Sequence, residues 1–358
     1  MRVGLTAAVL AIGLLTSQAS APAAGPAEAC APVSGMQSLC GPVNAEDFAP
    51  LPGSSLIIAS GMIYPRGALY VLDSSARNWR AVAPAEIRVA PDRNRFAGCP
   101  APDFAALVPH GLALGPDGGR QTLFVVNHGG RESIEAFEVA SAGASLTLTW
   151  RGCILAPEGS SPNALALLPD GGLAVSNMVN PRQPQAQDAY VHGKLTGNVL
   201  QWRPPGHPHA GWSDIPDSVM SGPNGIVASP DGRWLYVNDW GHSQLVRLSR
   251  RNPAEPPLRV DLPFHPDNTR WAPEGTLLVA GQFVDLAQLA ECMKTLCAQP
   301  FGVARVDPAT MRSEVLLRFR DPQFGSGTVA LQVGSELWIG SYAAGRIGRF
   351  PLGAAASP

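Results

Sequence analysis

Charged side chains are scarce in this sequence. Asp, Glu, Lys and Arg make up 15% of the 358 residues, and the formal net charge is −2. Without an excess of basic residues, the chain lacks the electrostatic surface that nucleic-acid binding requires, and we expect no nucleic-acid partner. No heptad repeat is present either, which argues against a coiled coil.

Several common catalytic motifs are also missing. The sequence contains no Gly-x-Ser-x-Gly elbow, no Walker motif and no His-Glu-x-x-His zinc helix. No two cysteines stand at the Cys-x2-Cys spacing of a zinc site. The sequence therefore does not favour these familiar enzyme classes.

The N-terminus has the features of a secretion signal. Arg2 precedes an uncharged apolar run, residues 3–15, and small-x-small sequences such as Ala27-Glu28-Ala29 follow. The run is shorter than the roughly 20 residues of a membrane span. We therefore predict a signal peptide over residues 1–29 and a secreted or periplasmic protein, with membrane association only if the segment is retained.

Six cysteines remain after this segment, an even number in a chain directed to an oxidising compartment. Two local pairs, Cys30–Cys40 and Cys292–Cys297, would close short loops and leave Cys99–Cys153. Spacing alone does not decide between the 15 pairings that six cysteines allow. We interpret all six as structural.

What the chain does have is turns and repeats. It contains 38 Gly and 35 Pro, and a short polar head precedes an apolar strand, a turn and a second strand six times, at intervals of roughly 45 to 65 residues. Three of the turns are Pro-Asp-Gly, at residues 116–118, 169–171 and 230–232. About four short strands per repeat predict an all-β fold, a six-bladed β-propeller formed as a single domain by residues 30–358.

Two stretches interrupt the repeats, Asn180–Thr196 and Phe283–Pro300. The second has the pattern of a short amphipathic helix or a loop. Long insertions in a rigid scaffold usually lie at one rim, so we expect both to form walls of a pocket.

The heads of the repeats suggest a metal site, because equivalent positions in every blade lie around one axis. Their carboxylate and amide oxygens suit a hard cation such as Ca²⁺. Each residue alone could instead form a turn with its own backbone, but their recurrence at one repeat position favours a ring. The candidate ligands are Glu46, Asn163, Asn224, Asp267 and Asn268.

Two histidines belong to the same end of the predicted tunnel. His110 is the head of the second repeat, and His128 follows a strand of that repeat in the sequence Asn127-His128-Gly129-Gly130. An imidazole pair beside a metal can deprotonate water. A histidine in such a turn can also be only a turn residue. We predict His110 and His128 as the catalytic pair.

The sequence resembles the paraoxonase (arylesterase/lactonase) family over most of residues 40–350. The similarity lies in Pro109-His110-Gly111-Leu112, in residues 124–133, and in Glu46-Asp47, Ser161-Pro162-Asn163, Pro223-Asn224-Gly225-Ile226 and Asp267-Asn268. The resemblance implies a catalytic calcium bound by the same five residues and a His110–His128 dyad.

The resemblance also implies a second, structural calcium at Asp47, the Leu112 carbonyl and Ala164. An alanine stands where that family usually has an aspartate, so we expect this second site to be weak or empty. Asn177 and Gln282 replace an aspartate and a histidine near the family's pocket, which leaves the substrate range open.

The sequence therefore predicts a calcium-dependent hydrolase of lactones or aryl esters with one tightly bound Ca²⁺ and a small-molecule substrate. One alternative is a gluconolactonase-like sugar lactonase, whose metal set is similar but lacks the histidine pair. Another is a non-catalytic propeller that binds a partner on its rim, although a rim binder has no need of ligands facing the axis. Fold alone would not decide among these functions.

Overall fold

The computed structural model describes residues 30–182, 189–252, 254–284, 292, 295 and 297–353. These residues form six sheets arranged around a central tunnel, which confirms the predicted six-bladed β-propeller. The predicted signal peptide and most of Phe283–Pro300 lie outside the described residues.

The strands fall into six blades, numbered from the N-terminus, and in each blade the order runs from the innermost strand outward. Blade 1 consists of β2 (Ala45–Pro50), β3 (Leu56–Gly61), β4 (Ala68–Asp73) and β5 (Asn78–Ala81). Blade 2 consists of β7 (Pro109–Asp117), β8 (Arg120–Asn127), β9 (Ser133–Ala142), β10 (Ser145–Leu155) and the short β6 (Arg88–Val89). Blade 3 consists of β11 (Pro162–Leu167), β12 (Leu173–Asn177), β13 (Asn198–Arg203) and β14 (Gly211–Asp214). Blade 4 consists of β15 (Pro223–Ala228), β16 (Trp234–Asp239), β17 (Gln244–Ser249) and β18 (Leu258–Asp261). Blade 5 consists of β19 (His265–Trp271), β20 (Leu277–Gln282), β21 (Phe301–Val306) and β22 (Ser313–Phe319). Blade 6 consists of β23 (Gly327–Val333), β24 (Glu336–Ser341), β25 (Arg346–Pro351) and β1 (Gln37–Cys40). Short 3₁₀ helices in the described ranges are Pro84–Glu86, Ala189–His192 and Trp240–His242.

The ring is closed by the N-terminal strand. β1 pairs antiparallel with β25, with Gln37 opposite Arg349 and Cys40 opposite Arg346. Blade 6 is therefore built from both ends of the described chain. A closed ring leaves only short strand edges exposed, which limits edge-to-edge association.

Apolar packing between blades holds the ring together. The six buried apolar clusters each lie between two neighbouring blades. In β3, Leu56 and Ile58 pack toward blade 2, whereas Ile57 and Ala59 pack toward blade 6. Because successive side chains of a strand point to opposite faces, a fully apolar strand serves two interfaces at once.

The predicted Pro-Asp-Gly sequences lie where the first two strands of blades 2, 3 and 4 are joined. In blade 2 the turn itself is Gly118-Gly119, because β7 extends to Asp117. The glycines of the three sequences, Gly118, Gly171 and Gly232, have positive φ values of 57°, 76° and 64°. Glycine adopts this left-handed conformation without the steric penalty that a Cβ atom imposes.

Each innermost strand has an irregular register near its start, at the head of its repeat. The shift falls between Pro109 and Leu112 in β7, and between Pro223 and Ile226 in β15. Equivalent shifts occur in β2, β11, β19 and β23. A bulge re-aims the side chain within it, so this device places each head residue at the tunnel.

Three disulfides are present among the described residues, Cys30–Cys40, Cys99–Cys153 and Cys292–Cys297, and they match the pairing that the two local loops favour. Disulfides persist in oxidising compartments. Within the described part of the chain, no helix has the length and apolar character needed to cross a membrane.

Candidate functional site

The heads of the repeats meet at one end of the tunnel, where they line a cavity of about 450 Å³. Glu46, His110, Asn163, Asn224 and Asp267 all contribute side chains to its wall. Asn268 is buried beside them and donates a hydrogen bond from Nδ2 to Glu46 Oε1 at 2.6 Å. The structure thus brings together all five predicted ligands and His110.

Two glycines allow this close approach. A Cβ atom on Gly111 would lie 2.4 Å from the Asn163 carbonyl oxygen, and one on Gly225 would lie 2.4 Å from the Asp267 carbonyl oxygen. Both distances are too short for any larger residue. The His-Gly and Asn-Gly sequences therefore let neighbouring inner strands pack backbone against backbone beside the cavity.

Four buried side-chain oxygens at this site have no hydrogen-bond partner among the residues that the structure describes. They are Glu46 Oε2, Asn163 Oδ1, Asn224 Oδ1 and Asn268 Oδ1. An unsatisfied buried polar group costs about 1–3 kcal/mol, and more when it is charged. Four acceptor oxygens from four strands meet here, and no hydrogen-bond donor of the described residues reaches them. A bound cation would satisfy all four.

The two carboxylates of the ring are strongly affected by burial. Desolvation raises the pKa of Glu46 to about 7, against the hydrogen bond from Asn268 and the charge of Arg270. Desolvation and the negative charge of Glu46 raise the pKa of Asp267 well above its usual value, although Gln282 Nε2 donates to its Oδ2 at 2.8 Å. A cation would favour the ionised form of both groups.

The donor set is of the hard-cation type. The described residues contain no cluster of three or more His, Cys, Asp and Glu side chains that could hold a metal. The ring instead combines the carboxylates of Glu46 and Asp267 with three amide oxygens. Ca²⁺ takes such ligands, whereas zinc prefers sulfur and nitrogen.

His110 and His128 form a direct pair. His110 Nδ1 lies 2.9 Å from His128 Nε2, and His110 Nε2 lies 3.6 Å from Glu46 Oε1. His110 faces the cavity, whereas His128 lies behind it and is not part of the wall. Burial lowers the pKa of His110, against the opposing charges of Asp267, Asp47 and Glu132.

A third residue, Glu132, completes the chain of hydrogen bonds. Its Oε2 lies 2.8 Å from His128 Nδ1, and its side chain is 40% exposed. This role was not predicted from the sequence. The feature of the sequence that could have indicated this contact is the spacing of four residues between His128 and Glu132. Both residues lie in the turn between β8 and β9.

The outer walls of the cavity are largely apolar. Trp240 lies in a stack with His265 at a ring distance of 4.3 Å and meets Tyr190 edge-on at 5.2 Å. Tyr190 belongs to the first predicted insertion, of which Asn180–Arg182 and Ala189–Thr196 are described, and Val284 belongs to the second. Both insertions reach the cavity, as the sequence predicted. The remaining apolar wall residues include Met62, Met178, Val191 and Tyr342.

The position of the expected second calcium is different. Asp47 forms an ion pair with the guanidinium of Arg270, which also donates to the Leu112 carbonyl oxygen at 3.1 Å. Ala164 packs in the apolar cluster between blades 3 and 4. The sequence-based expectation of a weak second site rested on Ala164 alone and did not include Arg270.

Asn177 and Gln282, the two positions that differ from the family's pocket, lie in different surroundings. Gln282 lines the cavity and links Asp267 to the Gly327 carbonyl oxygen at 2.8 Å. Asn177 is buried and bonded to the backbone of Ser161 and to Asn198. Of the two, Gln282 is therefore the one that can contact a ligand in this cavity.

Comparisons with known proteins give the fold. No family model and no curated protein matches the chain. Among solved structures, a protein named as a candidate gluconolactonase has 17% identity and a TM-score of 0.52 over 89% of this chain and 93% of its own. The calcium-binding protein regucalcin from Agrobacterium tumefaciens has 15% identity and a TM-score of 0.52, covering 91% and 96%.

A third similar structure is the PQQ-bound form of an aldose sugar dehydrogenase from Streptomyces coelicolor. It has 15% identity and a TM-score of 0.53, covering 87% of this chain and 96% of its own. At these identities the similarity shows the shared propeller fold alone. Because the fold carries different chemistries, the function must be argued from the site.

Proposed function

We propose that this protein is a calcium-dependent hydrolase of lactones or aryl esters, of the type that the paraoxonase resemblance implies. The observation that carries the proposal is the meeting of four unpartnered oxygens and one cavity-facing imidazole in the same pocket. A metal site alone would suit a binding protein. The adjacent histidine chain supplies a base, which a binding protein does not need.

Five residues would hold the ion: Glu46, Asn163, Asn224, Asp267 and Asn268. When bound, Ca²⁺ would supply a Lewis acid that stabilises negative charge on the substrate carbonyl oxygen in the transition state. Thr328 supports this arrangement, because its Oγ1 donates to the Glu46 carbonyl oxygen at 2.6 Å.

The histidine chain determines where a proton can go. A carboxylate only accepts, so Glu132 fixes the proton of His128 on Nδ1. His128 Nε2 then accepts the Nδ1 proton of His110, which leaves the Nε2 lone pair of His110 facing the cavity. This orientation allows His110 Nε2 to act as a general base toward water in the cavity. The lowered pKa of His110 favours the neutral form that this role requires.

The wall residues favour an apolar substrate over a sugar lactone. Tyr190, Trp240, Met62 and Met178 present aromatic and thioether surface, which suits an aryl or aliphatic group. A sugar requires several donors and acceptors, but Gln282 Nε2 and Thr328 Oγ1 are already bonded within the protein. Besides the metal ligands, this leaves mainly Gln299 and His192 as polar wall residues. These walls support the proposed activity over the gluconolactonase-like alternative.

We also propose a secreted or periplasmic location. The three disulfides support it, together with the signal-like sequence of residues 1–29.

The test is a hydrolysis panel of aliphatic lactones, homoserine lactones, aryl esters, a sugar lactone and a phosphotriester, each measured with Ca²⁺ and after chelation. We expect calcium-dependent turnover of a lactone or an aryl ester. Preference for the sugar lactone would support the alternative. No turnover of any substrate, with calcium bound, would indicate a binding protein.

A further inference from the structure

Arg270 extends from β19 into the tunnel, and its guanidinium is surrounded by oxygens. Nη2 contacts the Asp47 carboxylate and the Leu112 carbonyl oxygen, Nε donates to the Phe48 carbonyl oxygen at 2.9 Å, and Nη1 donates to the Thr269 carbonyl oxygen at 2.9 Å. One carboxylate and three backbone carbonyls therefore converge on a single positive group.

This cage joins distant parts of the ring. Asp47 and Phe48 belong to blade 1, Leu112 to blade 2, and Arg270 to blade 5. Asp47 is fully buried and the Arg270 side chain is 11% exposed. Asp47 also accepts from the backbone nitrogens of Leu112 at 2.7 Å and Phe48 at 2.8 Å. The guanidinium thus cross-links inner strands that are not neighbours.

Charge balance gives the number of further cations. Three buried carboxylates lie around the tunnel, on Glu46, Asp47 and Asp267. Arg270 compensates one negative charge, and one divalent ion at the Glu46–Asp267 ring compensates the other two. A second divalent ion would leave the buried region with an excess of positive charge, which is costly in a low-dielectric interior.

We propose that Arg270 is a built-in cation that fills a second cation position in the tunnel, and that its removal opens a weak calcium site there. The oxygens of Asp47, Phe48, Leu112 and Thr269 are hard ligands of the kind that Ca²⁺ takes. Only one of them carries a charge, so the opened site should have a Kd of about 10⁻⁴–10⁻³ M, in the range of weak calcium modules.

The test compares metal-free wild type with Arg270→Ala by calorimetric calcium titration and by Tm as a function of calcium concentration. The variant should bind one more ion than the wild type. Its Tm should be lower without calcium and should rise again over the millimolar range, because a ligand bound only by the folded state stabilises it.

Arg250→Ala is the matched control. The Arg250 side chain is 4% exposed, and it pairs with Asp170 at 2.9 Å and donates to the Gly232 carbonyl oxygen at 2.7 Å, outside the tunnel. Its loss should lower Tm without adding a calcium site. If Arg270→Ala does not fold, Arg270→Lys is used, which keeps a positive charge and should bind the same number of ions as the wild type.

The outcomes separate this inference from the proposed function, because no activity is measured. A wild type that binds no ion, with a variant that binds one, would refute the catalytic calcium and leave the role of Arg270 intact. Two ions in the wild type, an unchanged number in Arg270→Ala, or an extra ion in Arg270→Lys would each overturn the inference.

Discussion

The contribution of Glu132 to the histidine chain can be measured with a near-isosteric change. Glu132→Gln removes the negative charge that lies 2.8 Å from His128 Nδ1 and keeps the side-chain length. The amide oxygen of glutamine can still accept the same proton. The change therefore tests the charge of the residue, with the hydrogen bond retained.

The expected loss follows from hydrogen-bond energies. A bond to a charged group contributes about 1.5–3 kcal/mol and a neutral one about 0.5–1.5 kcal/mol. The difference of about 1–1.5 kcal/mol corresponds to a kcat lower by roughly fivefold to thirteenfold. Glu132 is 40% exposed, so solvent screens part of its charge and the lower end is expected. His110→Gln removes the base itself and should cost about 10²–10⁴-fold.

The assay is steady-state hydrolysis of the best substrate at saturating calcium, with kcat and KM measured separately. Glu138→Gln is the control, since Glu138 pairs with Arg120 at 3.5 Å and is not part of the cavity wall. KM and bound calcium should stay unchanged in all three variants. A Glu132→Gln enzyme within twofold of the wild-type kcat, while His110→Gln loses its rate, would refute the role of the Glu132 charge.

Three further predictions concern the metal and the walls. Burial raises the pKa of Glu46 from 4.5 to about 7 without metal. Between these two pH values the metal-free folded state therefore binds more protons than the unfolded state. Its free energy of unfolding should fall as pH rises from about 4.5 to about 7. Calcium affinity should rise over the same interval, because bound calcium replaces the proton on Glu46 and on Asp267, whose pKa is also raised by burial. Calorimetry across roughly pH 5–8 measures this rise, and a flat profile would contradict the burial argument. Asn224→Ala removes one unpartnered ligand and should weaken calcium binding and lower the rate. The control Asn198→Ala, outside the cavity wall, should leave the ion bound. Equal calcium affinities of the two variants would mean that Asn224 is not a ligand. Trp240→Ala should raise KM for aryl esters more than for small lactones, since it deletes an aromatic wall, and an equal change for both would mean that Trp240 does not contact the substrate.

The propeller could be predicted because its determinants are local. The Pro-Asp-Gly turns of residues 116–118, 169–171 and 230–232 and the apolar strands around them repeat along the chain. In a propeller, residues at the same position of each repeat lie at the same height around the central axis. The same equivalence brings Glu46, Asn163, Asn224 and Asp267 together, since each occupies one repeat position.

The contacts of Arg270 and Glu132 could not be predicted from the repeat period. Arg270 contacts Asp47 and Leu112 from another blade, across 223 and 158 residues of sequence. Its role follows only from where the tunnel brings these oxygens. Glu132 is close to His128 in sequence, but its hydrogen bond depends on the turn between β8 and β9. The register shifts at the starts of the innermost strands depend on how neighbouring strands pair, and the strand period does not specify them.

Hydrolysis and bound calcium, measured on the same samples of wild type and His110→Gln, would decide whether this cavity is a calcium-dependent hydrolytic site. We expect chelation to abolish wild-type activity and one equivalent of Ca²⁺ per chain to restore it. His110→Gln should bind the same single ion and remain about 10²–10⁴-fold slower. Full activity in the metal-free wild type, or normal activity in His110→Gln, would contradict this assignment of the cavity.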